Sequence, residues 1–327
     1  MRKYFKCPYL DNNDILITDC LNGCHHKDEN GIEDRCSSEL YLRECAAERE
    51  WKNKPSVTQL ISGTRESYLK LKYDYSIDLY NQVYKIIGTR GHKKLEIQGK
   101  YNKINALIEE QLEYKDITGK IDYLECTKED KLILIDHKTT GVWKIKKAIG
   151  MTTVDIPIID KEGYPVLYKS GNKKGQQHTK KKNIIDASCV DIEDWILQLN
   201  MYRIMLEAMN YPIYKMKIEI FNRENKRYSL QCGIDKTQYK IDIPRVDDKE
   251  LLDFFLNKKE KLLHAVNNDI IPELCNDKEN WKGKKCKEYC EVADVCFKLG
   301  DNPHLKDYMQ VKDDSNFMGE DFTEDPF

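Results

Sequence analysis

Residues 119–139 read GKIDYLECTKEDKLILIDHKT. The stretch 131–137 is rich in Leu and Ile and predicts a β-strand. Side chains alternate along a strand, so Asp136 and Lys138 share a face with Leu132 and Leu134. The strand therefore runs from an apolar stretch into an acid and a base on the same face. Residues 119–124 predict a second strand, and the polar segment 126–130 predicts the turn between them. Paired as a hairpin, the two strands bring Asp122 close to Asp136. Converging carboxylates repel each other unless a cation sits between them. A hard divalent cation prefers such oxygen ligands and keeps some of its water. A lysine beside it can orient a water or stabilise charge on a phosphate. Those parts suffice for phosphodiester hydrolysis.

Working outward, residues 56–72 have helical periodicity, with a start signal at Pro55-Ser56. Gly88 precedes a second helical stretch, from His92 to about Gln111. Residues 141–190 are less regular and include a Lys-rich loop at 170–182. A helix follows at about 191–209, a strand at 215–221 and an amphipathic helix at 248–268. This alternation predicts an α/β fold, a mixed central β-sheet flanked by helices. The expected organisation is a Cys-rich metal-binding head (1–50), a core (51–270), a four-Cys segment (271–300) and an acidic tail (301–327).

Eight of the twelve cysteines fall into two terminal groups. With no export signal at the start, metal ligation explains them better than disulfides. Cys7, Cys20, Cys24 and Cys36 give C-x12-C-x3-C-x11-C, with His25 and His26 alongside. A head this small can hardly bury a core of its own, and a structural zinc would compensate. Cys275, Cys286, Cys290 and Cys296 give C-x10-C-x3-C-x5-C, which suits a tetrahedral zinc or an iron–sulfur cluster. Cys126, Cys189 and Cys232 read as packing residues.

Gly119-Lys120-Ile121-Asp122 followed by Ile135-Asp136-His137-Lys138 resembles the PD-(D/E)xK nuclease pattern, and more narrowly its RecB-type branch. That branch adds a His after a Gly on an upstream helix, where Gly88-Thr89-Arg90-Gly91-His92 fits. It also adds Gln-x-x-x-Tyr downstream, where Gln198 and Tyr202 fit. These two are four apart and share a helix face. The resemblance spans about residues 56–300 and implies a restriction-endonuclease-like core and a Mg²⁺- or Mn²⁺-dependent DNA nuclease. It implies metal ligation by His92, Asp122 and Asp136, with the backbone carbonyl of His137 as a further ligand. Lys138 would be the catalytic lysine, and Gln198 and Tyr202 would position the lysine, the site or the DNA. A His at position 137, where the family often has Tyr, is a mild departure.

The CRISPR adaptation nucleases and AddB-type helicase–nucleases of this branch close a [4Fe-4S] cluster with three late cysteines and one early one. Cys286, Cys290 and Cys296 are similar to the late three. The early cysteine would fall near Leu60–Thr64, where this chain has none. Cys275 is the favoured substitute, with Cys45 or Cys36 reaching across as alternatives. The cluster is expected to be iron–sulfur, with zinc as the other reading.

Bulk charge does not single out a polyanion partner. The net charge is −2, with 34% charged and 40% hydrophobic residues. Residues 313–327 hold six acids and no base, leaving 54 basic against 50 acidic residues elsewhere. A mildly basic body is compatible with DNA. Lys173, Lys174, Lys180, Lys181 and Lys182 are either a solvated loop or contacts to DNA phosphates. Asp325-Pro326-Phe327 resembles the acidic Pro-Phe end of bacterial single-stranded DNA-binding proteins. It implies docking on a recombination or repair protein that reads such ends; the other reading is a solubilising tail. No apolar run is long enough for a membrane span, and the expected location is the cytoplasm. The composition, heavy in Lys, Ile, Asn and Tyr, points to a phage or other mobile element. Two rival readings are a non-catalytic DNA-binding or recruitment module and an endonuclease for branched or specific DNA.

Overall fold

The run of Leu and Ile ending in Asp136 and Lys138 is the centre of a five-stranded sheet. The computed structural model describes residues 1–48, 50–101 and 106–300. The acidic tail and its Pro-Phe end lie outside the described residues. In chain order the elements are β1 (Arg2–Cys7), β2 (Asn13–Leu16), α1 (Ile17–Asn22), α2 (Glu39–Ala46), α3 (Val57–Ile61), α4 (Thr64–Lys72), β3 (Tyr75–Asp78) and α5 (Leu79–Tyr101). There follow β4 (Leu107–Ile108), β5 (Gln111–Tyr114), β6 (Ile117–Lys120), β7 (Tyr123–Cys126), β8 (Leu132–Thr140), α6 (Val142–Ala148), β9 (Met151–Pro157) and β10 (Thr179–Ile185). The last are α7 (Glu193–Ala208), β11 (Ile213–Asn222), α8 (Lys226–Gln231), β12 (Gln238–Ile243), α9 (Asp248–Asn268), α10 (Lys284–Glu288) and α11 (Ala293–Lys298). The chain is thus mixed α/β, with mixed sheets and flanking helices. It forms two units that interleave along the sequence: 1–87, 113–119 and 248–300 in one, 88–112 and 120–247 in the other. No helix among the described residues is long and apolar enough to cross a membrane.

The second unit holds the sheet in the order β12-β11-β8-β7-β4. β8 runs antiparallel to β7 and parallel to β11. The parallel pair requires a long crossover, which α6, the β9–β10 ribbon and α7 provide. α7 packs on β8, β11 and β12. Leu199, Met205 and Leu206 of α7 are fully buried, as are Ile218 and Ile220 of β11. Each such side chain contributes roughly 1.5–3 kcal/mol. Asn200 is buried on the same helix without an unmet polar atom. Its amide donates to the carbonyls of Ile196 and Pro244, and its oxygen accepts from the Val246 N–H. That ties the chain leaving β12 to the helix.

The first unit has a three-stranded sheet, β2-β1-β3, and a helical layer in which α9 packs on α3 and α4. Its core includes Phe5, Leu42, Leu60, Leu69, Ile77, Phe255 and Leu262.

Several boundaries differ from the sequence reading. The helix expected over 56–72 begins with a capping box at Ser56 and Gln59, then breaks at Ser62-Gly63 into α3 and α4. The helix expected from His92 starts earlier, at Leu79, and ends at Tyr101. Asp78 caps it, accepting from the Tyr80 N–H at 2.9 Å and the Asn81 amide at 2.8 Å. The strand expected over 119–124 breaks at Ile121-Asp122. β6 pairs with β5, and only β7 joins the sheet beside β8. The turn after β7 is as expected, closed by Thr127 Oγ1 accepting from the N–H groups of Glu129 and Lys131. The irregular region 141–190 contains a regular ribbon, β9 paired with β10.

Candidate metal centre

The break before β7 places Asp122 at the site. Asp122 stands just outside the β7–β8 ladder, one residue before Tyr123, which pairs with Ile135. Its Oδ2 accepts the main-chain N–H of His137 at 2.7 Å. The carboxylate thus takes the bond that a strand backbone would have made, which is why the chain can turn there. The N–H and C=O of one strand residue point to the same side. The carbonyl of His137 therefore lies toward Asp122 as well. The ring of His137 turns to the face opposite Asp136. It is flanked by Tyr123 and Phe221 and pairs with Glu219 at 3.1 Å.

α5 brings His92 to Asp122. Its Nδ1 is 3.2 Å from Asp122 Oδ1 and 3.5 Å from Glu109 Oε1. Among the described residues, one group of His, Cys, Asp and Glu brings three ligand atoms within 4.8 Å of one another: His92, Glu109 and Asp122. Glu109 was not among the residues singled out from the sequence. It follows the two-residue β4, has a left-handed φ of 55°, and its N–H donates to the Asp122 carbonyl. Lys120 pairs with its other oxygen. Nothing periodic marks such a residue. The only signal was an acid immediately after a short apolar pair.

Asp136 and Lys138 project to one face of β8, as alternation requires. Asp136 is 2% exposed, with Oδ2 2.7 Å from Lys138 Nζ. That oxygen is buried, and the Lys138 ammonium is its partner. Lys138 Nζ donates to Gln198 Oε1 at 3.1 Å, and Gln198 Nε2 donates to the Tyr202 hydroxyl at 3.1 Å. Gln198 and Tyr202 are buried on one face of α7. The helix thus holds the lysine through a two-link chain.

The charges divide the carboxylates. Burial pushes Asp122 up, but the hydrogen bond and charge of His92, the His137 N–H and Lys138 together hold it below the usual carboxylate range. Burial raises Asp136, helped by the neighbouring Asp122 and only partly offset by Lys138. The hydrogen bond to Asp122 raises His92 against the effect of burial. Burial would lower Lys138, but the charge and hydrogen bond of Asp136, with the charge of Asp122, together raise it. The arrangement is one ionised carboxylate, one destabilised carboxylate and a protonated lysine around a shared space.

The terminal cysteines all lie in the first unit, and none is in a disulfide. Cys7 ends β1, Cys20 lies in α1, and Cys24 and Cys36 follow it. Cys286 lies in α10 and Cys296 in α11. Burial pushes the Cys275 thiol to about 11 and the Cys290 thiol to about 12, and Glu66 is near both. Cys275 packs into the α3–α4 break: a Cβ on Gly63 would be 2.2 Å from its Sγ. Cys45 is buried in α2 beside Tyr41.

No protein-family model and no curated protein matches the chain. Among solved structures, the crystal structure of SSO0001 is similar at 17% identity and a TM-score of 0.41, over 79% of this chain and 92% of that one.

Proposed function

We propose that this chain is a Mg²⁺- or Mn²⁺-dependent DNA nuclease with a restriction-endonuclease-like core of the RecB type. The observation that carries the reading is the convergence of His92, Glu109 and Asp122 within 4.8 Å, beside the buried Asp136–Lys138 pair. Asp122 and Asp136 repel each other across the site, and one lysine beside them leaves negative charge for a further cation to offset. The donor set fits a divalent ion. A small divalent ion of this kind takes carboxylate and imidazole ligands. His92, Glu109 and Asp122 already converge within 4.8 Å. These three, with Asp136 and the His137 carbonyl, would hold the ion. When bound, it supplies charge neutralisation at a phosphate and a lowered pKa for water.

The remaining steps belong to the chain. Lys138, fixed by Gln198, faces the space beside Asp136. There it can orient the attacking water and donate to the charge that develops on the phosphate oxygens. Tyr202 holds Gln198 in its acceptor orientation. DNA as substrate rests on the resemblance to RecB-type nucleases, as does the C-terminal cofactor. Cys275, Cys286, Cys290 and Cys296 would hold a [4Fe-4S] cluster. The fit there is Cys275 filling the space over Gly63, in the stretch where the related nucleases place their early cysteine. A brown protein with broad visible absorption supports iron–sulfur; a colourless one loaded with zinc supports the other metal.

The test uses end-labelled linear and closed circular DNA with Mn²⁺, Mg²⁺ or chelator. The wild type should cleave only with metal, and Lys138→Ala and Asp136→Asn should not cleave. Unchanged cleavage by both variants would refute the site. Metal-independent DNA binding without cleavage by the wild type would favour the recruitment reading. Cleavage of the circle would assign an endonuclease.

A further inference from the structure

Residues 23–38 have almost no structure of their own. Between α1 and α2 the only pairing is the bridge Lys27–Glu33, and most of the side chains are exposed. A segment with so little to bury does not hold a fixed course by hydrophobic contact. It is nevertheless folded back. The Asp28 N–H donates to the Ile32 carbonyl at 2.8 Å and the Asp34 N–H to the His26 carbonyl at 3.1 Å. Arg35 donates to the Cys20 carbonyl at 2.6 Å, near the end of α1. The Cys24 thiol lies 3.7 Å from the Asp34 carbonyl. The loop therefore returns Cys36 to the end of α1, beside Cys20 and Cys24. α1 packs on β1, which ends at Cys7.

The electrostatics report the same gathering. Burial raises the Cys20 thiol to about 11, and charge on Cys36, Cys24 and Cys7 adds to it. Burial raises Cys36, with Cys7 and Cys24 adding to it. Burial also raises the Tyr9 phenol, which feels Cys36, Cys24 and Cys7 as well. Its ring stacks on His26 at 3.8 Å, and His26 Nδ1 is taken by the Asp34 carbonyl at 3.1 Å. The four thiols make a complete ligand set without either histidine.

We propose that Cys7, Cys20, Cys24 and Cys36 hold a structural zinc ion that fastens residues 23–38 to β1 and α1. Four thiolates are the complete, closed ligand set of a structural zinc site, with no position for water or substrate. Zinc–sulfur bonds of about 2.3 Å put the sulfurs about 3.8 Å apart. No three of these sulfurs lie within 4.8 Å of one another. Binding therefore draws the exposed loop inward, a movement that breaks no core packing. The site does not depend on the nuclease reading.

The test is metal analysis of the full chain, purified without chelator. Cys24→Ser and Cys36→Ser should each lose about one equivalent of zinc relative to the wild type. Cys126→Ser, outside the group, should lose none. Cys290→Ser reports the C-terminal cysteines separately, because zinc lost there is additive with loss at the head. Cys24→His supplies another zinc ligand and should recover the metal, which separates ligation from misfolding. Hydrogen exchange in residues 23–38 should slow with zinc and speed up with chelator. Unchanged zinc in both serine variants, or a disulfide among the four cysteines by thiol titration, would overturn the proposal.

Discussion

Gly63 has no side chain in a place where Cys275 needs the room. Its φ is −61°, which any residue adopts, so the constraint is space and not backbone. Gly63→Ala should therefore lower stability by about 1–3 kcal/mol through overpacking. In a Cys275→Ala background, where the sulfur is gone, Gly63→Ala should cost much less, a coupling readable in a double-mutant cycle of urea unfolding. Additive losses would mean that the sulfur has another place to go. Lys138 is constrained from the other side. Gln198 accepts from it and, through Tyr202, is itself held in place. If the nuclease reading holds, Gln198→Ala should lower kcat about 10–100-fold with KM little changed, as supporting residues behind a site typically do. A loss confined to KM would make Gln198 a DNA contact instead. The parity of Asp136 and Lys138 was legible because strand geometry fixes it. Glu109 was not, because a left-handed residue at the end of a two-residue strand leaves no pattern.

At the scale of elements, the long apolar runs were legible. α7, α9, β8 and β11 lie within a few residues of the expected bounds because burial imposes periodicity on them. The strand over 119–124 was misread because Asp122 uses its side chain in place of a ladder bond, and only the partner strand reveals that. The ribbon was missed for the opposite reason. β9 half-buries one face, at Thr152, Val154 and Ile156, but the lysine run of β10 carries no alternation, so the pairing was not legible. Backbone bonds extend the pairing beyond them, from Ile158 to His178 and from Tyr168 to Gln176. Lys180, Lys181 and Lys182 are exposed along β10, while Lys173 and Lys174 lie in the exposed turn. A two-stranded ribbon is marginal alone. The lysines suit it to lie along a phosphate backbone. On the nuclease reading, replacing Lys180, Lys181 and Lys182 by Ala should weaken DNA binding without changing the thermal midpoint. The slope of log affinity against log salt should fall by about 2–3, near 0.9 for each phosphate that a lysine no longer neutralises. An unchanged slope would make the ribbon a solvated arm.

At the scale of the molecule, the chain visits one unit, leaves for the sheet, and returns through α9. No sequence pattern announces such a return, since the pairs that close it join positions about two hundred apart. Glu66 pairs with Lys70 at 2.8 Å and with Lys285 at 2.5 Å. Glu291 lies 3.3 Å from Lys70, accepts from Gln82 at 3.1 Å and pairs with Lys85. One buried acid, Glu66, and one half-buried acid, Glu291, thus bind the segment after α9 back onto α4 and the start of α5. Burial alone would raise Glu291, but Lys70, Lys85 and the Gln82 hydrogen bond hold it at about 2. Glu66 is also lowered, by Lys70 and Lys285 against burial. A carboxyl depressed in the folded state contributes stability that is complete above its unfolded value near 4.5. That stability is lost as pH falls through the folded value. Acid should therefore erode stability between about pH 4.5 and 2, with Glu291 accounting for about 2–3 kcal/mol. Glu291→Gln should be less stable at pH 7 and show a shallower acid limb in urea unfolding followed from pH 7 to pH 2. An acid limb of unchanged steepness in that variant would place the pH dependence, and the closure it reports, elsewhere in the unit.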